Sequence, residues 1–383
     1  MVSKRTQGLY KCKMKVVICG GGIIGNCVAY YLGESGITDI TVVERDKLAN
    51  AASGKAGGFL ARDWCCECRQ LDIFAKTSFA LHQELATKFD GKASYDYRRL
   101  EAFSASYDAD LKKSETELDS KREHLKWFNG PNIVAKSCNS IGTNENVAQL
   151  HPYKFVDTIA EYNLSRGIKV LEDTAIVSVK TEKAKAVGVE LSNQTELECD
   201  VLVLCMGPWT GAAIEWFDSL PSCYGQKGHS IVILPKTELP GEAVFMELGG
   251  QFSPEIYPRP DGQVYVCGVT ENPLPSNDLP LPGTIKPTEN SCEKLKDIAG
   301  KVSDILCEGE VLTSQACYLP LTHDGLPIIG KVPQTENVYV AAGHGCWGIL
   351  NSAATGKSLA QLITGCNEDE KINIEAFNPG RFN

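Results

Sequence analysis

No stretch of the 383-residue chain approaches the ~20 consecutive apolar residues that a membrane-spanning helix requires. Positive charge is not in excess either. Forty-eight acidic against 38 basic residues leave a formal net charge of -10, which argues against general nucleic-acid binding. The segment 1–14 has Lys4, Arg5, Lys11 and Lys13 but no apolar stretch behind them, so it reads as a solvated tail rather than a secretory signal. A weak electrostatic contact of that tail with an anionic membrane stays open. The last residues, Gly380-Arg381-Phe382-Asn383, are not a peroxisomal S-K-L address. Internal repeats and long low-complexity segments are missing. Cys65, Cys66 and Cys68 lie together but have no fourth ligand and no second pair at knuckle spacing, so no metal site is expected. Cysteine itself is abundant, at sixteen, and many lie in apolar runs (Cys19, Cys27, Cys199, Cys205, Cys267). With no secretory signal they read as reduced, buried small hydrophobes of a cytoplasmic protein. The apolar share of 43% is that of an ordinary globular protein, and the length suits two domains or one large interleaved one.

The most informative segment runs from Lys15 to Glu44. A β-type run, Lys15-Val16-Val17-Ile18-Cys19, enters Gly20-Gly21-Gly22-Ile23-Ile24-Gly25. A helix-like stretch follows, and then a second apolar run, Ile40-Thr41-Val42-Val43, ending at Glu44. In such a unit Gly20 permits the tight turn, Gly22 lets backbone amides approach a pyrophosphate, and Gly25 lets the helix pack on the sheet. The pyrophosphate sits at the helix start, at Gly22, Ile23 and Ile24, where unpaired N–H groups favour negative charge. Glu44, with Arg45 beside it, falls where a carboxylate accepts from a ribose diol. A bare glycine turn without a ligand is the alternative, and the complete strand–turn–helix–strand–acid unit argues against it.

A loop of small residues, Ala51 to Phe59, comes next. Its Ser53, Gly54, Lys55, Ala56, Gly57 and Gly58 would let backbone approach a large flat ligand. The periodicity predicts an amphipathic helix over Leu71–Phe89, with Phe74, Ser78, Leu81 and Leu85 in one row. A strand is expected over Tyr95–Ser106, a charged helix over Leu111–Phe128, and a helix over Val156–Arg166 ended by Gly167. Strands follow at Ile168–Leu171, Ala175–Thr181, Ala186–Leu191 and Asp200–Leu204, the last broken by Gly207-Pro208-Trp209. From Gln226 to Leu312 short β-rich segments (Ser230–Leu234, Val264–Val269) alternate with Pro/Gly loops, suggesting a mostly antiparallel substrate domain. Finally Val338–Ala342 reads as a strand meeting Gly343-His344-Gly345-Cys346-Trp347-Gly348, and Leu350–Ile363 as a helix.

Together these pieces resemble the FAD-dependent oxidoreductases of the D-amino-acid oxidase, glycine oxidase and sarcosine oxidase (DAO) type, in a poorly characterised eukaryotic branch. Four matches spread over nearly the whole chain carry the resemblance. They are the Gly20/Gly22/Gly25 to Glu44 unit, the Ser53–Gly58 loop, Asp200–Leu204 with Gly207-Pro208-Trp209, and Asp324-Gly325-Leu326-Pro327 followed by Gly343-His344-Gly345. The resemblance implies an α/β fold, a Rossmann-like FAD-binding domain (15–92, 149–215, 320–383) interleaved with a mostly antiparallel α+β substrate domain (93–148, 216–319). It implies that Gly343, His344, Gly345, Cys346, Trp347, Gly348 and Ile349 face the flavin ring and stabilise negative charge on it from a helix start. It also places Val177 at the adenine, and Gly207, Trp209 and Asp324 at the cofactor.

Three departures qualify the substrate. The family's amino-acid oxidases hold the substrate carboxylate with an arginine in a pattern like G-I-R-P-x-T-x-D. Aligning Thr322-His323-Asp324 with its end puts Leu319 at that position. Arg259, in Tyr257-Pro258-Arg259-Pro260, could compensate, or could be a solvated turn arginine. Cys317, seven residues before Asp324, matches the cysteine that forms a flavin thioether in the sarcosine oxidase branch; a buried apolar thiol is the other reading. Lysines that assist oxygen in that branch are replaced, one by Trp347, and Tyr265-Val266-Cys267-Gly268 supplies none. The resemblance thus implies hydride removal from a C–N bond of a small amine or amino acid, by an oxidase or dehydrogenase, with no obligatory side-chain base. Tyr257 and Arg259 are candidate substrate contacts, and His344 is the best polar residue near the ring, or holds its turn. His229 lies in a loop that the family places beside the flavin. An FAD-binding component of a complex with weak or vestigial catalysis is the alternative. A nicotinamide enzyme would have no need of the Gly343 turn. Oligomeric state and electron acceptor are not legible.

Overall fold

A computed structural model describes residues 12–66, 68–107, 124–130, 133, 138–248, 253–365 and 371–382. Residues 1–11 of the expected tail and most of the expected helix 111–128 lie outside those residues, while residues 12–14, expected as tail, open the first strand because they pair beside Ile37–Val43.

Six strands form the first sheet, in the order Ile328–Lys331, Val338–Ala342, Val201–Leu204, Cys12–Cys19, Ile37–Val43, Lys169–Leu171. All neighbours are parallel except the first two. Period-two alternation explains why both faces are covered. Val16 and Ile18 point into a core shared with helices, while Val17 and Cys19 point into a second core on the other face. The helical side holds Ile23–Glu34, Arg69–Lys88, Pro152–Ser165 and Gly348–Thr364. Helices Ile23–Glu34 and Gly348–Thr364 touch closely, because a Cβ on Gly356 would meet the backbone of Cys27. Each Leu they bury (Leu32, Leu350, Leu359) contributes about 2 kcal/mol of transfer free energy. A meander of Ile176–Glu182, Lys185–Leu191 and Glu196–Glu198 covers the opposite face through Ile176, Ala186, Val189 and Leu191.

The second large sheet is built mainly from later chain: Tyr224–Leu234, Glu242–Leu248, Glu255–Pro258, Val264–Thr270 and Glu310–Leu321, with Glu101–Tyr107 and Asn139–Gly142 from earlier. It is antiparallel apart from Glu242–Leu248 against Glu101–Tyr107. Helix Glu289–Val302 packs Leu295, Ala299 and Val302 on its core. The fold is the mixed α/β arrangement the sequence implies.

Several local expectations need correction. Tyr95 ends a short helix, Gly91–Tyr95, because Asp90 and Asp96 both adopt positive φ and the Tyr95 ring packs on Phe155; the strands are Arg98–Arg99 and Glu101–Tyr107. Residues 124–128 are not helical: Leu125 has φ +56°, and its N–H and the Trp127 indole donate to buried Glu242. The Ala51–Phe59 loop contains a turn of helix, Ala52–Lys55. The predicted helix at Val156 begins four residues earlier at Pro152, which is suited to the first turn because it lacks an N–H. Helix Glu289–Val302 sits in a region read as β-rich, although Cys292, Leu295, Ala299 and Val302 show its spacing.

Candidate active site

One cavity of about 740 Å³ runs between the two sheets. Its first wall is the Gly20–Gly25 turn. Gly20 has φ +114°, and a Cβ there would overlap the Cys205 carbonyl. A Cβ on Gly25 would fall on the Gly20 carbonyl oxygen, so the helix can start this close to the strand only with glycine. Asn26 Nδ2 donates to the carbonyls of Gly21 (2.8 Å) and Gly22 (3.1 Å) and fixes the turn, while Ser53 Oγ accepts from Ile23 N at 3.0 Å. Gly22, Ile23 and Ile24 face the cavity with the helix's first-turn amides.

Glu44 lies beside this turn. Its Oε2 accepts from Gly21 N (2.7 Å) and its Oε1 from Asp46 N (2.9 Å). Burial raises its carboxyl above the usual range, and the two amides pull it back. Each oxygen keeps a further lone pair toward the cavity, which Glu44 and Arg45 both line.

The small-residue loop forms the next wall through Ser53, Ala56, Gly57 and Gly58. Gly54 and Lys55 do not line the cavity. A Cβ on Gly54 would overlap the Ala49 carbonyl, and Lys55 Nζ reaches Ala316 O at 3.3 Å. The Lys55 carbonyl accepts from Tyr265 Oη (3.0 Å) and Gln315 Nε2 (3.1 Å), tying the loop to the second sheet. Gly207 and Trp209 also face the space, the indole donating to Pro280 O at 3.0 Å. Cys317 lines it too, and burial pushes its thiol up to about 11.

Opposite lies the C-terminal turn. Gly343 has φ +74° and packs on Thr322; His344, Gly345, Cys346, Trp347, Gly348 and Ile349 follow along the cavity wall into helix Gly348–Thr364. His344 Nε2 pairs with Thr355 Oγ1 at 3.0 Å, and burial holds the ring neutral by lowering its pKa to about 4. His229 lines the space as well, its Nε2 3.4 Å from Glu271 Oε1.

Five further predicted residues stand back from the cavity. Gly25 and Gly343 shape turns behind the wall. Val177 is half exposed on the meander, and the cavity is lined instead by Ala175 and Ile176 before it. Asp324 is a clamp: it pairs with Arg381 (2.7 and 3.1 Å) and accepts from Leu326 N (3.1 Å). Arg259 is not solvated. It is 6% exposed, lies over the Tyr265 ring and donates to Ala56 O at 3.3 Å, outside the cavity lining.

Beyond the C-terminal turn, sequence reading missed a box of rings. Trp64 lies 6.5 Å from Trp347 and 4.8 Å from Phe245, and Phe59 stacks on Tyr257 at 5.5 Å. One acid joins them. Glu255 lines the cavity and its Oε2 accepts from Tyr257 Oη and from Cys267 Sγ (3.5 Å). Burial raises the Glu255 carboxyl above its ordinary range, partly offset by those donors. Strand alternation was the available signal, since Glu255 and Tyr257 share a face of Glu255–Pro258.

Comparison with known proteins agrees with this geometry. Residues 15–362 match the family described as FAD dependent oxidoreductase (DAO). The chain belongs to that family. Among curated members, an oxidoreductase-like protein of Schizosaccharomyces pombe, C1F5.03c, is 33% identical over 91% of this chain and 93% of its own. Glycine oxidase of Bacillus licheniformis is 27% identical over 95% and 96%. Glycine oxidase of Geobacillus kaustophilus superposes with TM-score 0.77 at 19% identity, covering 95% of this chain and 98% of that one, which shows the shared fold. The residues fit the family's FAD: one cavity is lined both by a helix start where only glycine leaves room and by a second glycine turn.

Proposed function

We propose that this DAO-family oxidoreductase oxidises a C–N bond of a small amine or amino acid. The observation that carries this reading is the single cavity joining the Gly20–Glu44 unit to the Gly345–Gly348 turn, with an aromatic box bearing one carboxyl beyond that turn. When bound, FAD supplies the chemistry by accepting a hydride from the carbon beside nitrogen. The chain's own part is placement. The first sheet is the cofactor side and the second the substrate side. The loop at Ala56–Gly58 and the turn at Gly345 would bracket the ring, and Tyr257, Phe59 and Trp64 exclude water around the reacting carbon. Relatives named glycine oxidase and D-amino acid dehydrogenase act on such donors, in keeping with this assignment.

In this reading Cys317 lines the cavity as a neutral thiol, its pKa raised by burial to about 11, and FAD is held without a covalent bond. Among the described residues lining the cavity, Arg45 and Lys47 are the only lysine or arginine side chains, and both flank Glu44. No cation of that kind assists oxygen at the aromatic end, which favours an acceptor other than oxygen. The same scarcity favours, as a second reading, an FAD-binding component of a complex with vestigial catalysis. The test is anaerobic titration of the purified yellow protein with amines, N-methyl amino acids and D-amino acids. Bleaching by at least one class is expected; a flavoprotein bleached by none points to the second reading, and a protein that takes up no FAD removes both.

A further inference from the structure

We propose that the substrate binds as an ammonium cation, with Glu255 Oε1 as its hydrogen-bond acceptor and aromatic rings as its walls, and that it carries no carboxylate beside the nitrogen. This rests on the reading of the site as an amine-oxidising one and narrows its substrate class.

Charge at the aromatic end is one-sided. Glu255 is an acid facing the cavity there, and its Oε2 is already satisfied by Tyr257 and Cys267. Oε1 receives no hydrogen bond from the described residues, so one acceptor edge is left for a ligand. The faces and edges around it belong to Phe59, Trp64, Phe245, Tyr257 and Trp347. The faces of such rings attract an alkylated cation through their quadrupoles.

Among the described residues lining the cavity, no lysine or arginine stands at this end for an anionic group. Leu319 presents an apolar side chain to the cavity. Arg259 lies behind the Ala56–Gly58 loop with its guanidinium over Tyr265, and Lys55 is turned to Ala316 O. The two histidines on the wall are neutral, since burial lowers both His229 and His344. A carboxylate entering this space would be desolvated beside Glu255 with no compensating charge, the arrangement that rejects a ligand most strongly.

The same geometry assigns Glu255 a proton. Before a C–H bond can release its electron pair, nitrogen must have a free lone pair. The N–H bond of the ammonium breaks, its electrons stay on nitrogen, and the proton passes to Oε1, converting carboxylate to carboxyl. Burial favours the uncharged form of Glu255, so the carboxyl that this transfer leaves behind is accommodated where it stands.

The test uses the flavin-loaded protein and two probes of one shape: tert-butylammonium, whose carbon has no hydrogen to lose, and pivalate. Binding is read from the perturbed flavin absorption and from thermal shift. Tert-butylammonium should bind at least about tenfold more tightly than pivalate, and Glu255→Gln should weaken it about tenfold or more while leaving flavin content unchanged and binding pivalate more tightly than wild type does. Pivalate binding equally well or better, tert-butylammonium causing no perturbation, or Glu255→Gln leaving its affinity intact would each overturn the proposal. Should Glu255→Gln fail to fold, the wild-type comparison decides alone. Bleaching by N-methyl amino acids but not by carboxylate-free amines refutes this inference and leaves amine oxidation standing; bleaching by no donor refutes the broader reading.

Discussion

Gly25 and Gly33 lie in the same helix, Ile23–Glu34, and alanine at each should have opposite effects. Helix propensity alone favours both substitutions, by up to about 1 kcal/mol. The surroundings differ. A Cβ at Gly33 meets only Ile168 Cδ1 at 3.4 Å, an ordinary contact with a flexible end, so Gly33→Ala should keep most of that gain. At Gly25 the Cβ would lie on the Gly20 carbonyl oxygen. That carbonyl cannot swing away, because Gly20 N donates to Val43 O at 2.8 Å and Gly20 itself packs against the Cys205 carbonyl. Overpacking of this kind costs about 1–3 kcal/mol or more, which exceeds the propensity gain and leaves Gly25→Ala destabilised by about 1–2 kcal/mol. A chain of 383 residues has an unfolding entropy near about 0.8 kcal/mol/K, so the expected changes are a Tm about 1–3 °C lower for Gly25→Ala and about 1 °C higher for Gly33→Ala. Calorimetry of the apoprotein measures both. Isothermal titration with FAD adds a second readout. Displacing the helix start should weaken binding about tenfold or more through lost amide contacts, whereas Gly33→Ala should leave it unchanged. Equal Tm shifts for the two variants would refute the steric reasoning.

Acid should destabilise the fold through buried neutral histidines. His82 Nε2 binds the carbonyls of Ile349 and Leu350 (2.9 and 3.0 Å), its Nδ1 has no partner, and burial lowers its pKa from 6.5 to about 4. The unfolded state takes up its proton first, so stability falls as pH drops from about 6.5 toward 4, by about 3 kcal/mol at most for this residue; His82→Gln should flatten that part of a Tm–pH curve. Acid precipitation of the flavoprotein should leave all yellow colour in the supernatant, and a yellow pellet that turns colourless in Cys317→Ser would establish a thioether instead. Arg381→Ala, which removes both contacts to Asp324, should lower Tm by about 1–2 °C, less at high salt. Burial pulls the Asp324 carboxyl up, but Arg381 and its other donors hold it below the ordinary range. The benefit of that pair is therefore present above about pH 4 and lost as pH falls through the lower folded value, which acid titration of wild type against Arg381→Ala would measure.

Sequence alone determined the cofactor half of this protein. The Gly20/Gly22/Gly25 spacing, the apolar strands on either side and Glu44 are local requirements of one chain segment, set by φ, by the absence of a Cβ and by period-two burial, so they are legible without a neighbour. The turn from Gly343 to Gly348 was readable for the same reason. The substrate end was not, because its parts are brought together by strand pairing between distant segments. Phe59 and Trp64, Phe245, Glu255 and Tyr257, and Trp347 come from four separate stretches, and a local period links only Glu255 to Tyr257. Arg259 read as a substrate contact or a solvated turn residue and Asp324 as a cofactor contact, whereas packing decided that the first lies over Tyr265 and the second clamps Arg381. Backbone geometry is dictated by nearest neighbours along the chain; the charge and shape of a pocket are fixed only when sheets fold against each other, and that step assigned Glu255 to the cavity.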